Sequence, residues 1–255
     1  MLSRRVVVCL DVAEARVVKG IGFESLRDVG DPAAMAVRYE HDGADEIVFL
    51  DISATAEQRA TVLDVARRTA ERLFIPLTIG GGIRSADDAG RTLRAGADKV
   101  SLNSAAVSRP DVLGECADRF GSQCIVASID AKRENGEWRV YTHGGKTRTF
   151  LDAVGWAVEC VERGAGEILL TSIDRDGTRS GYDIELTRAV ADVVSVPVVA
   201  SGGAGDASDV VSVLRDGHAD AALVAGILHD DLITVGEIKN LMVHNHLPVR
   251  RHRES

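Results

Sequence analysis

The sequence predicts an α/β fold: a single (βα)8 TIM barrel that arose by twofold duplication of a half-barrel. Three observations carry this reading. Short apolar runs alternate with helix-period segments from one end of the chain to the other, no Pro/Ser-rich or low-complexity stretch divides it, and its second half repeats its first. The strand candidates are residues 5–10, 46–50, 77–79, 99–102, 124–129, 167–171, 198–200 and 222–224. Most are continuously apolar, as strands covered on both faces should be. The helix candidates between them are residues 32–41, 58–73, 85–95, 109–120, 151–163, 183–194, 206–216 and 234–244. Several open on a capping residue or a proline: Asp31-Pro32, Ser85, Asp183 and Asp206. One domain over residues 1–255 follows, with half-barrels at about 1–122 and 123–245 and a polar, frayed tail at 250–255.

The repeat is visible residue by residue. Val8-Cys9-Leu10-Asp11 matches Ala127-Ser128-Ile129-Asp130 at an offset of 119, and Asp45-Glu46-Ile47-Val48 matches Gly166-Glu167-Ile168-Leu169 at 121. Ile75-Pro76-Leu77 matches Val196-Pro197-Val198, and Gly80-Gly81-Gly82 matches Ser201-Gly202-Gly203, both at 121. Ala97-Asp98 matches Ala219-Asp220 at 122. An offset this steady across four consecutive strands makes each half a (βα)4 unit.

Thirty basic against 39 acidic residues give a net charge of -9, which disfavours unspecific binding to nucleic acid or anionic lipid. No apolar run approaches the roughly 20 residues that cross a bilayer. Cys9, Cys116, Cys124 and Cys160 lie far apart and the N-terminus lacks a signal-peptide pattern, so four reduced thiols and a cytoplasmic location are expected.

Barrel active sites are built where the strands end and the loops into the helices begin. Gly80 to Gly82 follow the third strand and Gly202, Gly203 and Gly205 the seventh; lacking Cβ atoms, they let backbone N–H groups approach an anion. Asn103-Ser104 after the fourth strand and Ala225-Gly226 after the eighth are suited to the same task. Two phosphate cradles on opposite sides of the mouth, one per half, imply a long ligand with a phosphate at each end. Asp11 and Asp130 end the first and fifth strands, which are diametrically opposed, and can act as base and acid toward the middle of a bisphosphate. The loops after them are long. Residues 12–30 read as a mobile lid bringing Lys19 over the ligand, the other reading being a surface lysine on a β-ribbon. Residues 131–149 carry Asn135-Gly136, a hairpin signal, so Trp138 and Tyr141 pack a ribbon. Thr171, Ser172, Asp174, Asp176 and Gly177, after the sixth strand, are either turn chemistry or substrate contacts. At the opposite strand ends stand Arg5, Glu46, Lys99 and Glu167, which spacing alone makes salt-bridged stoppers under the core. The seven histidines show no ligand-like spacing beyond His244-x-His246 near the tail, so no metal and no cofactor are expected.

Taken together, these segments resemble the cyclase subunits of imidazole glycerol phosphate synthase. The resemblance spans nearly the whole chain and rests on Val8 to Asp11, Arg16 to Gly20, Asp45 to Asp51, Gly80 to Ile83, Gly96 to Val100, Phe120 to Gln123, Ile129 to Arg133, Gly164 to Gly181 and Ala200 to Gly205. Gly166-Glu167-Ile168-Leu169-Leu170-Thr171-Ser172-Ile173-Asp174-Arg175-Asp176-Gly177-Thr178 is the most specific of them. The resemblance implies a bisphosphorylated substrate, phosphoribulosyl-formimino aminoimidazole carboxamide ribonucleotide. Ammonia attacks its ribulosyl carbonyl, and the adduct closes and is cleaved to imidazole glycerol phosphate and aminoimidazole carboxamide ribonucleotide. By matching position, Asp11 and Asp130 would be general base and acid in an order not readable here, and Lys19 would sit on a closing loop. Gly81, Gly82, Asn103, Ser104, Ser201, Gly202, Gly203, Ala225 and Gly226 would hold phosphate, with Thr171, Asp176 and Gly177 beside the substrate. The resemblance further implies a heterodimer with a glutaminase subunit, which would dock at the barrel floor near Asp98 and feed ammonia through Arg5, Glu46, Lys99 and Glu167.

Three departures are local. Gly226-Ile227-Leu228-His229 lacks the usual small hydroxyl residue and phenylalanine, His143-Gly144 replaces a common Ser-Gly, and one extra residue falls near positions 215–218. The sugar-phosphate isomerase of the same pathway resembles this family too, but residues 171–178 and the floor charges argue against it. A non-catalytic scaffold is opposed by the presence of Asp11, Asp130 and Lys19.

Overall fold

The computed structural model describes residues 3–21, 24–52 and 56–250, with the side chains of residues 19–28 and 53–61 outside the description. The first half runs β1 (Arg5–Ala13), β2 (Arg16–Ile21), β3 (Glu24–Gly30), α1 (Pro32–His41), β4 (Glu46–Asp51), α2 (Ala56–Ala70), β5 (Leu77–Gly80), α3 (Ala86–Arg94), β6 (Lys99–Leu102), α4 (Ser104–Ser108) and α5 (Asp111–Phe120). A 3-10 turn at Ser122–Cys124 leads to the second half: β7 (Ile125–Glu134), β8 (Glu137–Thr142), β9 (Thr147–Asp152), α6 (Ala153–Glu162), β10 (Glu167–Ser172), α7 (Ile184–Ala191), β11 (Val198–Ser201), α8 (Ala207–Arg215), β12 (Ala221–Val224), α9 (Gly226–His229) and α10 (Val235–His244).

Eight of these strands, β1, β4, β5, β6, β7, β10, β11 and β12, pair in parallel in that order. The circle closes between β12 and β1, with Arg5 opposite Ala221 and Val8 opposite Val224. This is the expected (βα)8 barrel, with the two halves repeating element for element.

The pleat explains what each strand residue does. Side chains alternate between the helix layer and the barrel axis. Val6, Val8, Leu10 and Val12 of β1 face outward into the large apolar layer under the helices, while Val7 and Cys9 join Val48, Val126, Leu169, Val199, Ala221 and Leu223 in a separate core on the axis. The same inward column carries Arg5 below that core and Asp11 above it. On β7 it carries Val126, Ser128 and Asp130, on β4 Glu46 and Val48, and on β10 Glu167, Leu169 and Thr171. A period of two therefore lays charged floor, apolar plug and polar mouth along β1 and β10.

The helices begin where the sequence signals them. Asp31 accepts from the Ala34 N–H, Ser85 from Asp88, Asp183 from Leu186, and Asp206 forms a reciprocal capping box with Asp209. The expected helix over 109–120 is α5, with Pro110 at its N-cap, while the five-residue α4 before it lies outside that range and was not expected. The four-residue α9 stands in the place of α4 and was not expected; helices this short show no periodicity. The segment read as a lid is an antiparallel ribbon, β2 against the extension of β1 and β3 against β2. Lys19 lies in β2 opposite Arg27, but its side chain is outside the described part. The second ribbon, β8 and β9, springs from β7 at the expected hairpin turn, with Asn135 and Gly136 at φ 50° and 88°.

In the turn before β12, where an extra residue is expected near 215–218, His218 takes a left-handed φ of 59°. The tail at 250–255 is corrected at its first residue. Arg250 Nε lies 3.1 Å from Asp45 Oδ1, whose other donor is the buried Lys239 Nζ at 2.7 Å, so Arg250 is held down; residues 251–255 lie outside the described residues.

Candidate active site

At the mouth, Asp11 and Asp130 top the inward columns of β1 and β7, which three strands separate on one side of the barrel and three on the other. Burial raises both carboxyls to about 7, and the negative charge of Asp176 adds to the rise in each. For Asp130 an opposing influence is present: Asn103 Nδ2 donates to its Oδ2 at 2.9 Å and favours the charged form. Asp176 itself is raised by burial against a hydrogen bond from the Gly177 N–H. Three carboxyls thus share one mouth, and two of them exchange protons near neutral pH.

The glycine loops lie where the repeat places them. Gly81 and Gly82 adopt φ of 93° and 65°, and Gly202 and Gly203 of 92° and 107°, a left-handed region that strains any side chain. A Cβ on Gly81 would sit 2.1 Å from the Asp51 carbonyl oxygen, and one on Gly203 2.2 Å from that of Gly181. Asn103 and Ala225, ending the neighbouring strands, share a further backbone shape, φ -120° with ψ -87° and φ -136° with ψ -82°. Ser104 Oγ accepts from the His143 N–H at 2.9 Å, so the tip of the second ribbon touches the first-half cradle. Ser201, Asp130 and Thr171 are neighbours, since Thr171 is in register with both of the others. Asp176 and Gly177 stand on the loop after β10, and a Cβ on Gly202 would lie 3.4 Å from the Asp176 nitrogen. Gly226 opens α9 beside Ala225.

At the floor, Arg5, Glu46, Lys99 and Glu167 close a ring of alternating charge. Arg5 pairs with Glu46 at 2.8 Å and with Glu167, while Lys99 reaches Glu46 at 2.9 Å and Glu167 at 2.7 Å. Thr78 Oγ1 donates to Glu46 at 2.6 Å. Asp98 accepts from the Leu77 N–H at 2.8 Å, and its repeat partner Asp220 does the same for Val198 at 3.1 Å, so both serve to start a strand.

Two features escaped the sequence reading. Asn103 was assigned only to phosphate, although the repeat already set it on the strand next to Asp130. His229 was set aside with the other histidines, yet its Nδ1 lies 2.7 Å from the Tyr39 hydroxyl and its Nε2 2.9 Å from the Cys9 carbonyl oxygen, tying α9 to α1 and β1. No sequence signal joins residues 190 positions apart. Among the described residues no group of three or more His, Cys, Asp or Glu side chains could hold a metal ion, and no helix is long and apolar enough to cross a membrane.

The sequence profile of the histidine biosynthesis protein family matches residues 5–234. The chain belongs to that family. It is 66% identical over 250 residues to the imidazole glycerol phosphate synthase subunit HisF of Myxococcus xanthus, covering 98% of this chain and 99% of that protein. It is 55% identical over 254 residues to the protein of the same name from a Nostoc species, covering 98% of each. As a member of the histidine biosynthesis family the chain is an enzyme, and its reaction is that of the cyclase.

Proposed function

We propose that Asp11 and Asp130 are the acid–base pair with which this cyclase converts phosphoribulosyl-formimino aminoimidazole carboxamide ribonucleotide and ammonia into imidazole glycerol phosphate and aminoimidazole carboxamide ribonucleotide. The observation that carries the assignment is the placement of two carboxyls on opposite strands, each raised to about 7 and each flanked by a glycine loop. Ammonia adds to the ribulosyl carbonyl carbon, and the oxygen must gain a proton before it leaves as water. Ring closure then expels the amine of the aminoimidazole carboxamide, which must also gain a proton. A carboxyl that titrates near 7 is half charged at working pH, so it both takes and gives a proton with little driving force lost.

Gly81, Gly82, Asn103 and Ser104 hold one phosphate, and Ser201, Gly202, Gly203, Ala225 and Gly226 the other. Thr171, Asp176 and Gly177 line the span between them, and Lys19 supplies positive charge from the first ribbon. The missing hydroxyl at Gly226 and the absent side chain at Gly144 leave those contacts to backbone N–H groups. A glutaminase subunit docks at the floor, next to Asp98, in a heterodimer. Its ammonia passes Arg5, Glu46, Lys99 and Glu167, whose ion pairs must part to admit it; the closed ring supports a gate as well as a stopper. Above that ring the apolar axis core from Val7 to Leu223 would keep water from following the ammonia.

The test gives purified protein the aldose or the ketose bisphosphate, with and without ammonium salt at mildly alkaline pH. Ammonium-dependent consumption of the ketose alone, lost in Asp11→Asn, is expected. Conversion of the aldose without ammonium would replace this reading with the isomerase.

A further inference from the structure

The repeat provides an internal control on the two carboxyls. Asn103 ends β6, the strand beside β7 that carries Asp130; the residue 122 positions on, Ala225, ends β12, the strand beside β1 that carries Asp11. The two strand ends share one backbone shape, so they present their side chains alike. Only one of them has a donor. Asn103 Nδ2 reaches Asp130 Oδ2 at 2.9 Å, and among the described side chains none donates to Asp11. With Asp130 charged, its carboxylate offers only acceptors, so the amide nitrogen faces it and Asn103 Oδ1 is left buried without a partner among the described residues.

We propose that Asn103 is a positioning residue for Asp130 and that this one-sided bond divides the labour of the pair, Asp130 taking the proton and Asp11 giving it. With Oδ2 engaged, the Asp130 carboxyl is held in rotation and works through Oδ1 alone. Placing a proton on Asp130 weakens the bond from Asn103, whereas a proton on Asp11 costs no hydrogen bond. Asp176, which pushes protons toward both, does not discriminate between them. The division rests on the assignment of Asp11 and Asp130 as the acid–base pair. The orienting bond itself does not.

The experiment follows the carboxyl carbons of Asp11 and Asp130 by 13C NMR titration in wild type, Asn103→Ala and Ala225→Asn, alongside the pH dependence of kcat with the ketose bisphosphate and ammonium. In Asn103→Ala the Asp130 signal is expected to titrate about one pH unit higher while Asp11 stays, and the acid limb of kcat moves upward with it. Ala225→Asn is expected to move Asp11 downward and pull the alkaline limb of kcat inward. A rise in KM with both limbs in place would mean that Asn103 only holds phosphate and would overturn the proposal, as would an unmoved Asp130 signal. If turnover is absent in wild type the cyclase assignment fails on its own, and the Asp130 signal still decides whether Asn103 acts on it.

Discussion

Gly81 and Gly202 differ by a single degree in φ, and Asp98 and Asp220 cap equivalent strands, yet the inward columns of the two half-barrels carry different charges. Glu46 is matched by Glu167, but Arg5 stands opposite Cys124 in the repeat and Lys99 opposite Ala221, so both floor cations belong to the first half. Asn103 is matched by Ala225 at the mouth. His229 and Tyr39, hydrogen-bonded to each other, correspond to Val107 and Cys160, which belong to an apolar layer. Backbone turns tolerate little change because a Cβ or a wrong φ is punished at once. Inward side chains can change singly, and a reaction with a direction needs them unequal.

The largest effect that separates the halves is catalytic. Asp11→Asn and Asp130→Asn are each expected to lower ammonium-dependent turnover by about 10²–10⁴-fold; steady-state kinetics showing one of them nearly silent would mean that only one half carries the chemistry. At the floor, Lys99→Met leaves Glu46 and Glu167 with Arg5 as the only cation of the ring, and denaturant unfolding should show a loss of about 3 kcal/mol. The corresponding Ala221→Met disturbs packing alone, so a similar loss there would remove the contrast.

Stability against pH offers a third comparison. Folded Asp11 titrates at about 7 and an unfolded aspartate at about 3.9, so the folded protein holds the extra proton between those values. The contribution is complete below about pH 4 and is lost as the pH rises through about 7. Asp11→Asn should therefore gain on wild type by on the order of 4 kcal/mol between those limits, in urea melts at several pH values. An unchanging difference would show that Asp11 is not buried as a charge.

Gly81→Ala and Gly202→Ala should each cost about 2 kcal/mol, Gly81 more, since its Cβ meets the Asp51 carbonyl oxygen at 2.1 Å against 2.8 Å to that of Ser172 for Gly202. Thermal melts that reversed this order would break the link between clash and cost. The smallest difference is expected at the caps: Asp31→Ala and Asp152→Ala each remove one bond to a helix N–H and should cost about 1 kcal/mol alike.

The barrel was legible because apolar runs alternating with helix-period segments, and a repeat at offsets of 119–122 residues, can be read along the chain without knowing any contact. Arg5, Val7, Cys9 and Asp11 announce floor, plug and mouth within one strand. The paired aspartates and glycine loops followed from the same pattern. Less legible were contacts that depend on which strands become neighbours at particular heights, such as Asn103 to Asp130, or on distant helices meeting, such as Tyr39 to His229 and Asp45 to Lys239. For the first ribbon the sequence left a lid and a β-ribbon both open, because its residues are mixed in polarity; the ribbon grows from the continuing ladder of β1, where Val12 pairs with Val17.

Arg4 bridges Val249 and the Arg4 N–H donates to the Pro248 carbonyl at 2.7 Å, so the described ends of the chain run side by side at one edge of the barrel. The ring of strands has no privileged starting point. A gene rearranged to begin at Ser122, with the old ends joined by a short linker, would read out the second half before the first and still offer each strand the same neighbours. In such a molecule Asp130 would be made first and Asp11 last.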